Sequence, residues 1–212
     1  LRLKRELVEV ILNDEHLMSD LFTHSEIALA KLPLAWLGCT SPDVLVGGLG
    51  LGYTAKAVLD HPAVQSLTVI EYLAPVISWH RNDQLPIGTA LIDDARCRII
   101  EADFFASVAS DAGFDPDHPQ RQFDAILLDV DHAPDFLLNP SHAKFYTPKG
   151  LKKLRRNIRA NGVFGLWSDK PPDDNFTNLL ERTFEKASAE EVTFDNPYTN
   201  GTEVQTVYIA LT

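Results

Sequence analysis

The stretch Leu45–Thr54, LVGGLGLGYT, closes a short apolar run, Val44 to Val46, with a glycine cluster and then opens a helix-like segment. That order reads as strand, tight turn and helix N-terminus. Glycine is needed where a Cβ would block a ligand's approach to backbone N–H groups or where φ is positive, so the turn reads as a nucleotide or nucleoside cradle. Gly48, Gly50 and Gly52 have the G-x-G-x-G spacing usual for S-adenosylmethionine sites, and Gly50, Gly52 and Ala55 also fit the G-x-G-x-x-A dinucleotide fingerprint. A turn that merely packs strand against helix is the plain alternative. The next apolar run, Leu67 to Ile70, ends on Glu71, where an acidic side chain can accept hydrogen bonds from ribose hydroxyls.

Working outward, strands are expected at 43–47, 67–71, 97–101, 123–129 and 162–168, with helices near 53–60, 74–84, 104–111, 148–160 and 173–188. This alternation predicts an α/β fold built on a doubly wound, mostly parallel sheet. Near the end, 191–194 and 204–211 are β-rich runs joined by a turn-rich segment, 196–201, too short for a crossover helix, so they should form an antiparallel hairpin. A seven-stranded sheet finished this way favours the class I methyltransferase-type fold over the dinucleotide fold. Val8 to Leu12 and His16 to Leu21 flank Asn13 and Asp14, which predicts a short N-terminal β-hairpin. The division expected is a hairpin extension over 1–23 and a catalytic domain over 24–212, whose first helix lies within 24–37.

The 212 residues are 45% hydrophobic, enough for one buried core. Nineteen Lys and Arg against 30 Asp and Glu, a net charge of -11, leave no electrostatic footprint for nucleic acid or an anionic membrane and favour a small cationic substrate. Cys39 and Cys97 stand far apart in no metal-like spacing, as reduced thiols in a cytoplasmic protein would. No stretch approaches the roughly 20 apolar residues of a membrane span. The chain opens on Leu1 rather than Met, so a processed or trimmed start is expected.

Ligands of open α/β sheets bind beyond the carboxyl ends of the strands, so the residues that follow each strand carry the chemistry. Asp103 can accept from an adenine amino group, with Phe104 covering the ring, or can simply cap the helix that follows. Asp129, Asp131 and His132 form a cluster that could bind a cationic amine and take its proton, since burial and like-charge neighbours raise a carboxylate's basicity. Trp167 and Asp169 end the fifth strand and, with Glu26 on the first helix, could hold the far end of a cation. No metal is expected, because these acids lack a second histidine at recognised spacing and His142 sits in a separate segment.

The segments VLVGGLGLGYTAKAVL, VIEYLAPVI, EADFF, FDAILLDVDHAP and KFYTPKGLKKLRRNIRANGVFGLWS, in this order and spacing, resemble the spermidine/spermine synthase (polyamine aminopropyltransferase) family from about residue 8 to the C-terminus. The resemblance implies the class I S-adenosylmethionine fold and decarboxylated S-adenosylmethionine as donor. It further implies that Gly48, Gly50 and Gly52 border the donor, Glu71 holds the ribose, Asp103 meets the adenine, Asp129 is the catalytic aspartate and Tyr146 stands near the reacting atoms.

Several positions depart from the family. Its glycine turn carries an aspartate where this chain has Leu49, its Tyr-Gln or Tyr-His pair falls near Ser25 and Glu26, and its glutamine after strand five falls near Trp167. The D-S/T-S/T-D-P signature becomes Asp129-Val-Asp131-His132-Ala-Pro134, one residue longer, and the family's large N-terminal β-domain is reduced to a hairpin. The expected activity is aminopropyl transfer to a small-molecule amine, with Asp129, Asp131 and Tyr146 as the catalytic set and a homodimer allowed for. The alternatives are a methyltransferase using intact S-adenosylmethionine and a noncatalytic nucleoside-binding module.

Overall fold

Val44, Leu45 and Val46 are all fully buried, the two valines in one apolar layer and Leu45 in the other, as a strand covered on both faces requires. This strand, β3 (Asp43–Gly47), lies at the centre of the sheet in the computed structural model, which describes residues 7–12, 14–197 and 199–212. The basic start over 1–6, Asn13 of the expected turn pair and Tyr198 of the C-terminal turn lie outside the described residues.

The remaining elements are β1 (Glu9–Leu12), β2 (Glu15–Ser19), α1 (His24–Leu34), α2 (Tyr53–Leu59), β4 (Ser66–Glu71), α3 (Ala74–Arg81), β5 (Cys97–Glu101), α4 (Phe104–Ala109), β6 (Phe123–Leu128), α5 (Pro148–Arg155), β7 (Ile158–Ser168), α6 (Asp174–Glu181), β8 (Lys186–Asn196) and β9 (Gly201–Leu211). The seven-stranded sheet has the order β5-β4-β3-β6-β7-β9-β8. Neighbours from β5 to β7 are parallel, and β9 runs antiparallel to both β7 and β8. After β3 the chain builds outward to β5 and then returns to lay β6 on the other side of β3. The order therefore reverses between β3 and β6, where an open sheet leaves its binding crevice.

Each face buries one helical layer. Leu29 and Leu34 of α1, Val58 of α2 and Ile77 of α3 pack on Val44, Val46 and Leu127, while Phe104 of α4, Leu151 and Leu154 of α5 and Leu180 of α6 pack on Leu45, Ile126 and Phe164. Each such aliphatic or aromatic side chain contributes about 1.5–3 kcal/mol by leaving water.

The expected helices all end early, α5 and α6 by the widest margin. α5 stops at Arg155 because Asn157 turns the chain, its N–H donating to Leu154 and its carbonyl accepting from Phe123, so that Ile158 already pairs with Phe123. α6 stops at Glu181, and Lys186 to Ala189 join the sheet instead. Ala187 reads as helical by propensity, but its pairing with Ala210 on β9 outweighs that preference.

The amino-terminal edge of the sheet is held by paired charges. Arg159 spans Asp43 and Asp124 at 2.8 and 2.5 Å, and Arg121 and Arg98 approach the fully buried Asp115 at 3.1 and 3.2 Å. Burial alone would raise the Asp115 carboxyl, yet the Arg121 hydrogen bond, the Asp117 amide, His118 and the Arg98 charge hold it at about 2. At the opposite edge the β1–β2 hairpin sits as a separate antiparallel pair over the glycine turn, where the Leu51 N–H points at the Met18 sulfur at 3.2 Å.

Candidate active site

The glycine turn is shaped by close approach. Gly48 has φ +94°, and a Cβ there would stand 2.0 Å from the Asp129 carbonyl oxygen at the end of β6. A Cβ on Gly50, φ +47°, would meet the Met18 sulfur at 2.4 Å. Below the turn the buried His80 ring bonds the Gly50 carbonyl at 2.9 Å. The turn's amides are largely committed inside the protein: Gly48 donates to Ile70, Leu49 to the Glu71 carboxylate at 2.9 Å, Leu51 to Met18 and Gly52 to Leu49.

Above it lies a cavity of about 510 Å³ across the carboxyl ends of β3 to β7. Five carboxylates line it, those of Glu26, Glu71, Asp103, Asp129 and Asp169, and among the described lining residues there is no Lys or Arg. Glu71 closes β4 with its carboxylate held by the Leu49 and Leu73 amides at 2.9 and 2.6 Å. Asp103 caps α4, one carboxylate oxygen accepting from Ala106 at 3.0 Å, and it also borders the cavity.

Asp129 follows β6 and accepts a 2.6 Å hydrogen bond from the Thr54 hydroxyl, which stands in the first turn of α2 just past the glycines. Glu26, from α1, is buried in the same wall with the Ser25 hydroxyl on one of its oxygens at 3.0 Å. Burial first, and then the Asp129 charge, push Glu26 from 4.5 up to about 8. Burial pushes Asp129 up to about 6 against the pull of Thr54. Facing carboxylates of this kind titrate as a pair and hold a proton at neutral pH.

The folded chain thus keeps a proton on this pair that the unfolded chain has released above about pH 4–5, so stability is full below that range and is lost as pH rises towards 8. Glu26→Gln should remove much of the loss. The expected outcome is a gain of about 2 kcal/mol at pH 8 and little change at pH 4.5, read from denaturant midpoints. Equal midpoints for variant and parent at pH 8 would reject the paired-carboxylate geometry.

At the other end of the crevice Trp167, half-buried on β7, donates from Nε1 to Gln205 of β9 at 3.3 Å, and both line the cavity. Asp169 lies 3.7 Å from His132, and its amide donates to the His132 carbonyl at 2.7 Å. Burial raises Asp169, with the His132 and Lys170 charges pulling the other way.

Three residues named from sequence stand off the cavity wall. Gly52, φ +89°, caps α2, and a Cβ there would point at Ile87, His80 and Leu91, so it serves the turn from behind. Asp131 is fully buried and accepts from the Leu138 amide, His142 Nδ1 and the Tyr146 hydroxyl at 2.8, 2.8 and 2.9 Å. Tyr146 is held by that bond, so the expected trio of Asp129, Asp131 and Tyr146 does not meet at one surface. Phe104 borders the cavity, but its ring is committed to the core beside Phe114 and Phe145, and it is Phe105 that stacks on His142.

No protein-family profile matches the chain. The polyamine aminopropyltransferase of Bacillus mycoides strain KBAB4 is 27% identical over 152 residues, 72% of this chain and 50% of that protein. Polyamine aminopropyltransferase 2 of Pseudomonas aeruginosa is 24% identical over 157 residues, 71% of this chain and 42% of that protein. The chain is thus similar, at 24–27% identity, to polyamine aminopropyltransferases. It spans about half the length of the curated relatives it matches first. Among solved structures, the Thermotoga maritima spermidine synthase and a spermidine synthase in complex with the transition state analogue AdoDATO each superpose with a TM-score of 0.71, over 93% of this chain and 63% and 64% of theirs, at 18% and 20% identity. Human methyltransferase-like protein 13 in complex with SAH shares the fold at a TM-score of 0.57 and 21% identity, over 88% of this chain and 78% of its own.

Three positions that depart from the aminopropyltransferase pattern, Glu26, Leu49 and Trp167, all line the cavity, and Glu26 of α1 lies close enough to Asp129 to feel its charge. Sequence reading missed Thr54, Met18, His142 and Gln205. A hydroxyl in the first helical turn after the glycines is a usable sign for Thr54. The others reach the cavity from distant segments and carry no local mark.

Proposed function

We propose that the chain transfers an aminopropyl group from decarboxylated S-adenosylmethionine to an amine. The observation that carries this reading is the cavity wall, with five carboxylates and no described Lys or Arg. Such a wall suits a sulfonium nucleoside and a polyamine, both cations. It does not suit the carboxylate of an intact donor, which would find neither a cationic side chain nor a ready amide, since four amides of the turn are already bonded. The fit extends to the nucleoside: Gly48 and Gly50 leave room for it, Glu71 can take ribose hydroxyls on its remaining lone pairs, and Asp103 borders the base end.

The donor supplies a methylene next to a sulfonium, already a good leaving group, so the protein's task is to present a neutral nitrogen in line with it. Asp129, held by Thr54, takes the proton from the attacking ammonium, while Glu26 beside it keeps its own proton and leaves the negative charge of the pair on Asp129. Asp169, Trp167, Gln205 and His132 hold the distal end of the amine. Asp131 and Tyr146 act behind the wall. The catalytic domain is taken as 24–212, with the β1–β2 hairpin as its roof.

The test is to supply decarboxylated S-adenosylmethionine with a panel of amines and follow 5′-methylthioadenosine release. Release is expected, with a longer polyamine favoured over putrescine by at least about fivefold in kcat/KM, because the acids at the two ends of the crevice suit a long cation. S-adenosylhomocysteine formed from the intact donor, without 5′-methylthioadenosine from the decarboxylated one, would move the assignment to methyl transfer.

A further inference from the structure

His142, set aside as a metal ligand from sequence, borders the cavity with its ring held by a stack and a hydrogen bond. It belongs to a 3₁₀ turn, Pro140–Lys144, in the loop that returns from β6 towards α5. Its ring stacks on Phe105 with centroids 3.8 Å apart and planes 19° from parallel. Nδ1 lies 2.8 Å from the Asp131 carboxylate, which is sealed from solvent and also accepts from Leu138 and Tyr146. A carboxylate with these partners only accepts, so Nδ1 carries a proton, and the tautomer this selects has Nε2 as its acceptor. Nε2 has no hydrogen-bond partner among the described residues, and His142 borders the cavity.

The position within the crevice decides what this acceptor meets. Phe105 follows Asp103 and Phe104 at the carboxyl end of β5, the outermost parallel strand and the far side of the glycine turn from Asp169 and Trp167. In a nucleoside laid with its ribose on Glu71, the base projects to this side. We propose that His142 accepts a hydrogen bond from the exocyclic 6-amino group of adenine, with Asp131 as the positioning residue that fixes its tautomer and ring plane.

This rests on the nucleoside-donor reading. An acceptor at this point favours a 6-amino purine and opposes a 6-oxo purine, which would set oxygen against nitrogen lone pair. The experiment titrates the parent protein, His142→Phe and Asp131→Asn with 5′-methylthioadenosine and 5′-methylthioinosine by calorimetry. The parent should prefer the amino nucleoside by about tenfold or more, as buried acceptors that lose their donor do. In His142→Phe, which keeps a flat ring against Phe105, the preference should shrink to within about twofold. Asp131→Asn should lower it in the same direction, because the amide leaves the tautomer unfixed.

The ratio of two affinities within one preparation does not move with the fraction of folded protein, so a purely structural role would leave it unchanged. A parent that binds both nucleosides equally, or a preference that survives His142→Phe, overturns the proposal while leaving the donor reading in place. Failure of the parent to bind either nucleoside overturns both.

Discussion

Replacing Asp129 by Asn should lower turnover at least about a hundredfold while changing 5′-methylthioadenosine affinity little. The side chain keeps its size, and its amide oxygen can still accept from Thr54, so the 2.6 Å contact that aims it is preserved. What is lost is the negative charge and the ability to take a proton. An ammonium has no lone pair, and without a base beside it the attacking nitrogen stays protonated. Glu26 does not readily substitute, because burial holds its own proton on more tightly. The proposed nucleoside contacts, Glu71 at the end of β4 and Asp103 just past β5, are untouched, so binding there should persist. Single-turnover release of 5′-methylthioadenosine, with calorimetry alongside, reads both quantities. An unchanged rate would leave Asp129 as a partner of Thr54 and nothing more, as a noncatalytic nucleoside-binding module requires.

Gly48→Ala should be the most damaging single methyl in the chain. The backbone there has φ +94°, and the added Cβ would lie 2.0 Å from the Asp129 carbonyl and 3.2 Å from the Val130 side chain. Neither neighbour yields cheaply, since Asp129 donates its amide to Gly47 and Gly48 donates its own to Ile70, tying β3 to β6 and β4. Backbone strain and overpacking together should cost on the order of 3–5 kcal/mol, a large share of the stability of a domain this size. Gly38→Ala is the control, with open space around its Cβ. Denaturant midpoints should fall steeply for the first and stay put for the second. Equal midpoints would mean that the strand ends do not approach so closely.

These two residues also show what could be read before the fold was known. The turn and the strand ends were legible because β3 and β6 are covered on both faces, so each appears as an unbroken apolar run with its first polar residue at the site: glycines after Val46, Asp129 after Leu128. Glu71 was legible for the same reason. Asp131 was not, because an acid two residues past a strand end can face the crevice or the core, and its three partners come from seven, eleven and fifteen residues further on. The hairpin's role as a roof was hidden too. Its strands announce themselves by their polar turn, but the contact of Met18 with Leu51 spans 33 residues and leaves no local pattern. The ends of α5 and α6 were misjudged where strand pairing overrides helical propensity.

The arginines gathered at the amino-terminal edge of the sheet give the molecule a polarity along its strands. Arg159, Arg121 and Arg98 are spent on Asp43, Asp124 and Asp115, so that edge is close to neutral, while the carboxylates at the other edge have no such partners among the cavity's described residues. In a chain with net charge -11, the crevice mouth is therefore negative with no arginine beside it to offset the charge. Cations are drawn in from roughly a Debye length away, about 10 Å at 0.1 M salt, and anions are turned back before they touch a side chain. A neutral thioether nucleoside feels neither force, so in the proposed transfer the step that discharges the sulfonium would also release its nucleoside from the pull that brought it in.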